Sequence, residues 1–171
     1  MSFSIRLARS AEAAQLARLS RDLIEYDLPW RWSAERVLRC LKDRATNGIV
    51  AVAGGRILGF ALMHYLDAEA HLLLLAVTPA QRRSGVGRAL VIWLEDTARV
   101  AGVGTIRLEV RAANEGARAF YRQLGYREGQ LLPGYYEGRE AALRLSRRLW
   151  SPATEAASQV KALMLNWRPS T

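Results

Sequence analysis

The sequence predicts an α/β domain in which one sheet is covered by layers on both of its faces. Segments with a two-residue apolar period alternate along the chain with segments of helical period. The run Leu72 to Leu75 is apolar on both sides of a strand, which is typical of a central strand packed from above and below. A length of 171 residues with 50% hydrophobic residues is enough for one core, and we place this domain at residues 1–150.

The N-terminal segment predicts one strand and two helices. Residues 3–8 alternate apolar and polar side chains, the period of a half-buried strand. From Ser10 to about Asp27 the apolar residues recur at helical spacing, and we expect Ser10 to be the N-cap. Pro29 ends this unit, Ser33 can cap a second helix, and a turn at Asn47-Gly48 is expected after it.

The remainder of the domain predicts six further strands and two further helices. Gly54-Gly55 has the positive-φ freedom that a tight hairpin needs, and Gly102 is expected to end the longer helix. Pro133-Gly134 is expected to begin the loop between the last two strands. The predicted strands are 49–53, 57–66, 71–78, 106–110, 126–131 and 141–149, and the predicted helices are 85–101 and 114–124.

Residues 151–171 predict an additional C-terminal helix. Ser151 and Pro152 form a favourable helix start, and the apolar residues that follow lie close to one face. We expect this extension to pack against its own domain. Packing against a second copy, which makes a homodimer possible, is the alternative.

The excess of positive charge does not predict a nucleic-acid-binding protein. Lys+Arg number 25 against 16 for Asp+Glu, a formal net charge of +9. The arginines are spread from Arg6 to Arg168, and no zinc-finger or helix-turn-helix pattern accompanies them. We therefore expect no nucleic acid as the principal ligand.

The compartment is predicted from what the sequence lacks. Cys40 is the only cysteine, so an internal disulfide is excluded. No apolar run approaches the roughly 18 residues of a membrane span. The N-terminus shows no apolar stretch with a small-residue cleavage site. These features predict a cytoplasmic protein that does not contact a membrane.

The segment from Gln81 to Arg88 carries the clearest chemical signal. Gly85 and Gly87 at a helix entry let backbone N–H groups approach a ligand closely, and the helix N-terminus adds partial positive charge. The side chains of Arg82, Arg83 and Arg88 add full positive charges. This combination suits a phosphate, although a purely structural loop also needs glycine for turning. Arg88 after Gly87 excludes a Walker loop, and Leu90 stands where a dinucleotide fingerprint has glycine.

Two segments resemble the GNAT superfamily of acyl-coenzyme A-dependent N-acetyltransferases. Residues 75–90 are similar to that family's central strand, pyrophosphate loop and helix, with Arg82-x-x-Gly85-x-Gly87 at its signature. Residues 108–126, which include LEVRAAN and AFYRQLGY, are similar to its strand-helix-strand unit beside the reaction centre. The LEVRAAN pattern and the later Tyr135-Tyr136 pair are typical of ribosomal-protein alanine N-acetyltransferases.

The resemblance implies a fold and a co-substrate. The fold is a mixed, twisted sheet of about seven strands, splayed at its centre between strands 71–78 and 105–111, with helices on both faces. The co-substrate is acetyl-CoA. The residues implied in its binding are Leu75, Ala76 and Val77 on the first central strand, Arg82, Arg83, Ser84, Gly85, Val86, Gly87 and Arg88 in the loop, and Asn114 and Tyr121 after the second central strand.

Acetyl transfer to an amine needs two groups that handle protons. An alkylammonium must lose a proton before it attacks a thioester, and the departing thiolate must gain one. Glu109 alternates away from the apolar residues of its strand and matches the family branch's general base. Tyr121 matches the residue that protonates the thiolate. The alternatives are a Glu109 neutralised by Arg107 and Arg111, and a Tyr121 that is an ordinary core aromatic.

Other candidates for chemistry carry weaker signals. His64 and His71 are the only histidines and lack the spacing of metal ligands, so no metal is expected. His71 begins the central strand and is the reserve candidate for the base. Cys40 has no neighbouring histidine, which disfavours an acetyl-cysteine intermediate.

The acceptor is predicted from aromatic residues. By the resemblance, Tyr26, Trp30 and Trp32 on one side and Tyr135 and Tyr136 on the other flank the acceptor groove. These residues favour a peptide or protein N-terminus. The loop 133–141 is shorter than the branch's usual form, so a small amine or amino acid is the alternative acceptor. A non-catalytic acyl-CoA sensor is the alternative function.

Overall fold

Residues 2–150, which the computed structural model describes, form one mixed sheet with helices on both faces, as predicted. The strand order is β1-β2-β3-β4-β5-β7-β6, and β4 and β5 form the one parallel pair within this part of the chain. The predicted helix over 151–171 lies outside the described residues. The strands are β1 (Ser4–Leu7), β2 (Thr46–Ala53), β3 (Arg56–Tyr65), β4 (Glu69–Val77), β5 (Thr105–Arg111), β6 (Arg127–Tyr136) and β7 (Glu140–Arg148), and the helices are α1 (Ala13–Leu23), α2 (Ala34–Lys42), α3 (Val86–Val100) and α4 (Glu115–Gln123).

Two buried clusters cover the two faces of the sheet. On one face Leu90 and Leu94 of α3 pack with Leu108 of β5. On the other face Leu16 of α1 and Val37 of α2 join a cluster that includes residues of β3 and β4. Each such side chain contributes about 1.5–3 kcal/mol by leaving water. The central β4 therefore meets apolar layers on both faces, as its leucine run predicts.

The two central strands diverge after a short paired segment. Their register runs from Glu69 opposite Thr105 to His71 opposite Arg107 and stops there, although β4 and β5 both continue. Leu73 is an extra residue in β4 against β3, which makes a β-bulge and bends the strand. The sheet is thus splayed at its centre, as the family resemblance implies.

Several local predictions are confirmed. Gly54 and Gly55 form the β2–β3 turn with φ of 55° and 74°. Ser33 caps α2 by accepting a hydrogen bond from the Arg36 amide at 3.3 Å. Gly102 follows the end of α3 with φ of 77°.

The predicted turn at Asn47-Gly48 is wrong, because both residues lie inside β2. Gly48 is needed there for close packing: a Cβ at this position would lie 2.2 Å from Leu41 Cδ2. The chain turns earlier, where the Thr46 amide donates to the Asp43 carbonyl at 3.1 Å. Glycine in a strand here marks the approach of α2 to the sheet rather than a chain reversal.

The loop predicted to begin at Pro133-Gly134 is also misplaced. Both residues belong to β6, and the chain turns at residues 137–139. Proline fits because β6 is the last strand of the sheet, where an amide on the outer side needs no ladder partner. Tyr135 and Tyr136 consequently end a strand instead of lying in a loop.

The first helix is shorter than predicted at both ends. Glu12 accepts a hydrogen bond from the Arg9 amide at 2.7 Å, so the chain makes a short 3-10 turn and Ser10 is not the N-cap of α1. After Leu23 the Glu25 carboxylate accepts from the Arg31 amide at 2.7 Å. That contact organises residues 24–32 as a loop rather than a helical turn.

A buried ion pair between α3 and β7 predicts a large effect on stability. Arg147 Nη1 lies 2.8 Å from both oxygens of Glu95, whose side chain is 3% exposed. We expect Arg147→Met to lower the free energy of unfolding by about 3 kcal/mol, because it leaves a buried carboxylate with only the more distant guanidinium of Arg99, 3.7 Å away. Urea denaturation measures this change.

The matched control is Arg148→Met, which removes an exposed arginine from the same strand. We expect the double variant Glu95→Gln/Arg147→Met to recover part of the loss. Equal stability of the Arg147→Met and Arg148→Met proteins would contradict this assignment.

Candidate active site

The loop before α3 presents a row of free backbone amides. None of the six amides from Arg83 to Arg88 donates a hydrogen bond to another described residue. Three of them are the first amides of α3, which lack partners in any helix. The positive end of the helix dipole points the same way. This arrangement suits a phosphate group, as the sequence predicts.

The two glycines of this loop serve different purposes. Gly85 has φ of 86° and open space around it, so its role is conformational. Gly87 has little room, because a Cβ there would lie 3.3 Å from Phe120 Cζ and 3.4 Å from Val77 Cγ2. Gly85 therefore turns the chain, and Gly87 lets α3 approach α4 and β4.

A cavity of about 130 Å³ opens where the central strands diverge. A larger depression of about 550 Å³ adjoins it and shares Tyr26, Arg111 and Asn114 with it. The remaining residues of the smaller cavity are Leu23, Ile24, Leu72, Leu73, Leu74, Leu75, Leu108, Glu109, Val110, Ala117, Tyr121 and Tyr136. Both residues predicted to handle protons therefore face one space.

The predicted coenzyme residues are distributed around this space. Leu75 lines the cavity, and Ala76 and Val77 continue β4 toward the free amides of the loop. Asn114 lines it too, but its side-chain oxygen accepts from the Ala117 amide at 3.0 Å and caps α4. The structure thus gives Asn114 a structural role alongside the predicted one.

Glu109 is buried and surrounded by donors. Its side chain is 5% exposed. Oε1 accepts from Arg144 Nε at 3.0 Å and from Arg107 Nη1 at 3.2 Å, and Oε2 lies 2.5 Å from His71 Nε2. The sequence indicated neutralisation by Arg107 and Arg111, whereas the second arginine is Arg144, on the neighbouring strand β7.

These contacts determine the protonation of Glu109. Burial alone raises the pKa of this carboxyl, but the hydrogen bonds from His71 and Arg144 and the charge of Arg107 outweigh burial. The pKa of Glu109 is held below its ordinary value. The side chain is therefore an anion at neutral pH.

Tyr121 lies on the opposite face of the sheet from Glu109. Its ring is 6% exposed and belongs to the buried cluster with Leu108 and Val110, the β5 residues that alternate with Glu109. It makes edge contacts with Phe120 and Tyr126, at centroid distances of 5.0 and 5.4 Å. Burial raises the pKa of its hydroxyl, which stays protonated. The cavity thus has an anion on one side and a phenol on the other.

Arg111 is a site residue that sequence reasoning missed. Its side chain is 9% exposed, and it donates to the carbonyls of Ile24 and Tyr26 at 2.9 and 2.5 Å and to Glu140 at 3.0 Å. It therefore ties the loop between α1 and α2 to the edge of the cavity. Strand alternation placed Arg111 on the correct face, but its carbonyl partners lie 85 and 87 residues away in the chain.

The aromatic residues predicted to flank the acceptor separate into two groups. Tyr26 and Tyr136 both lie close to Arg111, whose guanidinium carbon is 4.0 and 5.9 Å from their ring centres, and both line the cavity. Tyr135 packs edge-on against Tyr136 and is 46% exposed. An ion pair between Arg31 and Glu137 joins the loop between α1 and α2 to the turn between β6 and β7.

Trp30 and Trp32 lie outside the described cavities. Trp30 is 45% exposed and stacks with Arg21, whose guanidinium carbon lies 5.4 Å from the ring. Trp32 packs against the buried cluster beneath α1 and α2 and stacks with Arg36 at 4.0 Å. The structure gives Trp32 a packing role and leaves Trp30 at the surface.

Two further observations concern the described residues. No group of three or more His, Cys, Asp and Glu side chains among residues 2–150 is arranged to hold a metal ion. In the same range, every helix is too short or too polar to cross a membrane.

Comparisons with known proteins agree with this geometry. A family model described as "Acetyltransferase (GNAT) family" matches residues 12–126. The [ribosomal protein bS18]-alanine N-acetyltransferase of Escherichia coli K12 is 41% identical over 92 residues, which cover 52% of this chain and 62% of that protein. The crystal structure of the ribosomal-protein-S18-alanine N-acetyltransferase from Escherichia coli has a TM-score of 0.77 at 27% identity, covering 88% of this chain and 96% of that one.

Two other proteins extend the comparison. N-alpha-acetyltransferase RimI of Mycobacterium tuberculosis is 33% identical over 132 residues, 74% of this chain and 79% of that protein. The yncA protein of Salmonella typhimurium, solved with its cofactor acetyl-CoA, shares the fold with a TM-score of 0.74 at 19% identity, covering 88% of this chain and 96% of that one.

The fold is of the GNAT type. The chain belongs to the acetyltransferase (GNAT) family. Its predicted similarity to the ribosomal-protein alanine N-acetyltransferases is confirmed. The predicted membership of the GNAT family is confirmed by the family model, and the chain spans less than two thirds of the length of the Escherichia coli relative.

Proposed function

We propose that this protein transfers the acetyl group of acetyl-CoA to a primary amine at the N-terminus of a peptide or protein. The observation that carries the proposal is the cavity between the diverging strands, with Glu109 on one side and Tyr121 on the other. Two supporting features are the free amides before α3 and the aromatic residues at the cavity mouth. The named activities of the similar proteins supply the acceptor class.

In this proposal the coenzyme lies along the open edge of β4. Backbone groups of Leu75 to Val77, freed where β4 and β5 part, pair with the amides of the pantetheine arm as an added strand would. The amides from Arg83 to Arg88 hold the pyrophosphate, and Arg82, Arg83 and Arg88 add positive charge. The thioester then reaches the cavity between Glu109 and Tyr121.

The two sides of the cavity have complementary tasks. The Glu109 side attracts the acceptor ammonium and supports loss of its proton, so that the free amine attacks the thioester carbon. Tyr121 donates its phenolic proton to the departing thiolate. A free phenol has a pKa near 10 and a free thiol near 8.5. Burial disfavours both anions, so the phenolate left by this transfer takes up the second proton that the acetylated nitrogen loses.

A panel of acceptors tests this function. We expect thiol release from acetyl-CoA with peptides that begin with alanine, and a product heavier by one acetyl group. The same peptides blocked at the N-terminus are the matched control and should release no thiol. Acetylation of free amino acids or polyamines in preference to peptides would assign a small-molecule acceptor. Coenzyme binding without thiol release on any acceptor would establish the sensor function instead.

The loop before α3 gives a prediction about coenzyme affinity. Gly85→Ala places a Cβ in the left-handed region, at a cost of about 1–2 kcal/mol. We expect about a tenfold weaker affinity for coenzyme A, because the strained loop presents its amides less well. Isothermal titration calorimetry measures the dissociation constant.

Gly102→Ala is the matched control for this variant. Gly102 also has a positive φ, 77°, with nothing within 4 Å of an added Cβ, but it follows the other end of α3. We expect the two variants to lose similar stability and only Gly85→Ala to lose affinity. Equal affinities in both variants would remove the loop from the coenzyme site.

A further inference from the structure

Loop 24–32, between α1 and α2, forms part of the cavity wall. Ile24 and Tyr26 of this loop line the cavity, and Tyr26 also lines the adjoining depression. The buried Glu25 carboxylate accepts hydrogen bonds from two amides at the far end of the loop, which fixes the internal shape of the loop. Those hydrogen bonds lie within the loop, so its position relative to the sheet depends on other contacts.

Arg111, the last residue of β5, supplies those contacts. Its guanidinium donates to the carbonyls of Ile24 and Tyr26 at 2.9 and 2.5 Å and to Glu140, the first residue of β7, at 3.0 Å. A planar guanidinium presents its donors in a fixed fork, so the three acceptors are held in one arrangement. Of the three residues that line both the cavity and the depression, Arg111 is the charged one. It therefore lies where the loop, the sheet and both spaces meet.

A second ion pair connects the same loop to the sheet, but it is exposed. Arg31 of the loop pairs with Glu137 in the turn between β6 and β7. The Arg31 side chain is 65% exposed, against 9% for Arg111. Water and salt screen an exposed ion pair, whereas charge-assisted hydrogen bonds of a buried guanidinium are stronger. Arg111 is therefore the principal connection between the loop and the sheet.

The contact with Arg111 also orients the ring of Tyr26. The guanidinium carbon lies 4.0 Å from the ring centre, within the range of a cation–π contact. Tyr26 is 45% exposed, so its packing against the rest of the domain is limited. Arg111 thus binds both the carbonyl and the ring of one residue and fixes an aromatic surface at the mouth of the cavity.

A peptide acceptor must extend past this mouth. The cavity volume is about 130 Å³, below the roughly 300–1,000 Å³ of a typical small-molecule pocket. The reacting groups and the first residue of an acceptor fill such a space. The second residue of a peptide then lies outside it, beside the ring of Tyr26, whereas a single amino acid has no group at that place.

We propose that Arg111 is a positioning residue that makes the protein prefer peptide acceptors to single amino acids. It holds the Tyr26 ring at the cavity mouth, where the ring packs against the second residue of the acceptor. This inference rests on the proposed function and adds the residue that selects for acceptor length. Arg111 itself transfers no proton and takes no part in the bond changes at the thioester.

Kinetics of Arg111→Met with two acceptors tests this role. A tetrapeptide that begins with alanine extends past the cavity mouth, and alaninamide does not, so the native protein should have the larger kcat/KM for the tetrapeptide. In Arg111→Met we expect the KM for the tetrapeptide to rise about tenfold, with changes of at most about twofold in kcat/KM for alaninamide and in the KM for acetyl-CoA. A general loss of folded protein would instead lower both rates together and leave their ratio unchanged.

Tyr26→Ala shows whether Arg111 acts through the ring. Tyr26 is largely exposed, so the variant should fold, and it keeps the carbonyl that Arg111 binds. We expect the same loss of peptide preference as in Arg111→Met. The double variant Arg111→Met/Tyr26→Ala should lose no more than either single variant, because both changes remove the same contact with the acceptor. Losses that multiply in the double variant would overturn the positioning role.

Arg111→Lys tests the fork of donors. Lysine keeps a positive charge, but its single ammonium group cannot reproduce the planar fork that spans two carbonyls and a carboxylate. We expect this variant to lose most of the peptide preference. A native preference in Arg111→Lys would show that charge alone is sufficient and would overturn the proposed role of the carbonyl contacts.

Arg6→Met is the matched control. Arg6 also donates to a backbone carbonyl and a carboxylate, those of Leu7 and Glu12, but it lines neither described cavity. This variant should keep the native peptide preference. A native protein with equal kcat/KM for the two acceptors, or an unchanged ratio in Arg111→Met, overturns the role of Arg111 alone. A native protein that transfers no acetyl group to any peptide overturns the proposed function and this role with it.

Discussion

Tyr121→Phe is expected to lower kcat by about 10² to 10⁴-fold while leaving coenzyme binding intact. The variant removes one hydroxyl and keeps the ring that packs against Phe120 and Tyr126. Without the phenol the thiolate must leave unprotonated. We expect the deficit to narrow above about pH 8.5, where a free thiolate is the stable form in water. Steady-state thiol release and a separate coenzyme titration measure the two properties.

Tyr126→Phe is the control for this prediction. Tyr126 is also buried, contacts Tyr121 and has a hydroxyl without a hydrogen-bond partner among the described residues, but it does not line the cavity. Its variant should keep the native kcat. Equal rates in the two variants would show that loss of a buried hydroxyl, rather than a proton donor, explains the effect.

Glu109→Gln is expected to lower kcat by about 10²-fold or more, because the amide keeps the shape of the side chain and removes its charge. The ammonium then loses its attraction to the cavity. Glu69→Gln is the control. Glu69 contacts the same Arg107, at 2.9 Å, but its side chain is 40% exposed and does not line the cavity. Unchanged turnover of Glu109→Gln would remove this residue from the mechanism.

The difference in stability between the native protein and the Glu109→Gln variant is expected to depend on pH. The pKa of Glu109 is lower in the folded protein than its ordinary value of 4.5. A carboxyl with a lowered pKa contributes stability above its ordinary pKa, and this contribution is lost as the pH falls through the folded value. We expect native protein to be more stable than Glu109→Gln at pH 7 and the difference to shrink below pH 4.5. A difference that grows with acid would contradict the direction of the shift.

The sequence predicts those parts of the fold that local chemistry decides. Gly54-Gly55 forms a turn because both residues adopt positive φ, and four successive leucines mark a strand buried on both faces. The turn predicted at Gly48 and the loop predicted at Pro133 are wrong because the segments that surround these residues are distant in the sequence. Gly48 makes room for Leu41 of α2, and Pro133 is tolerated by the position of β6 at the sheet edge.

The candidate site also has residues that the sequence reveals and contacts that it does not. Glu109 and Tyr121 stand in motifs that can be recognised along the chain. Their surroundings cannot, because His71 meets Glu109 across 38 residues of sequence and Arg144 meets it across 35. Arg111 likewise binds carbonyls of a loop that precedes it by more than half the domain. Pairing between strands that lie far apart in the sequence, and the position of the loop after α1, create these contacts, so only the folded structure reveals them.

A crystal structure with coenzyme A and a peptide acceptor tests the central claim most directly. The account predicts the pyrophosphate within hydrogen-bond distance of the amides from Arg83 to Arg88 and the pantetheine arm along the edge of β4. The sulfur should lie in the cavity near Tyr121, with the acceptor nitrogen on the Glu109 side. A coenzyme bound elsewhere on the sheet, with the space between β4 and β5 empty, would contradict it.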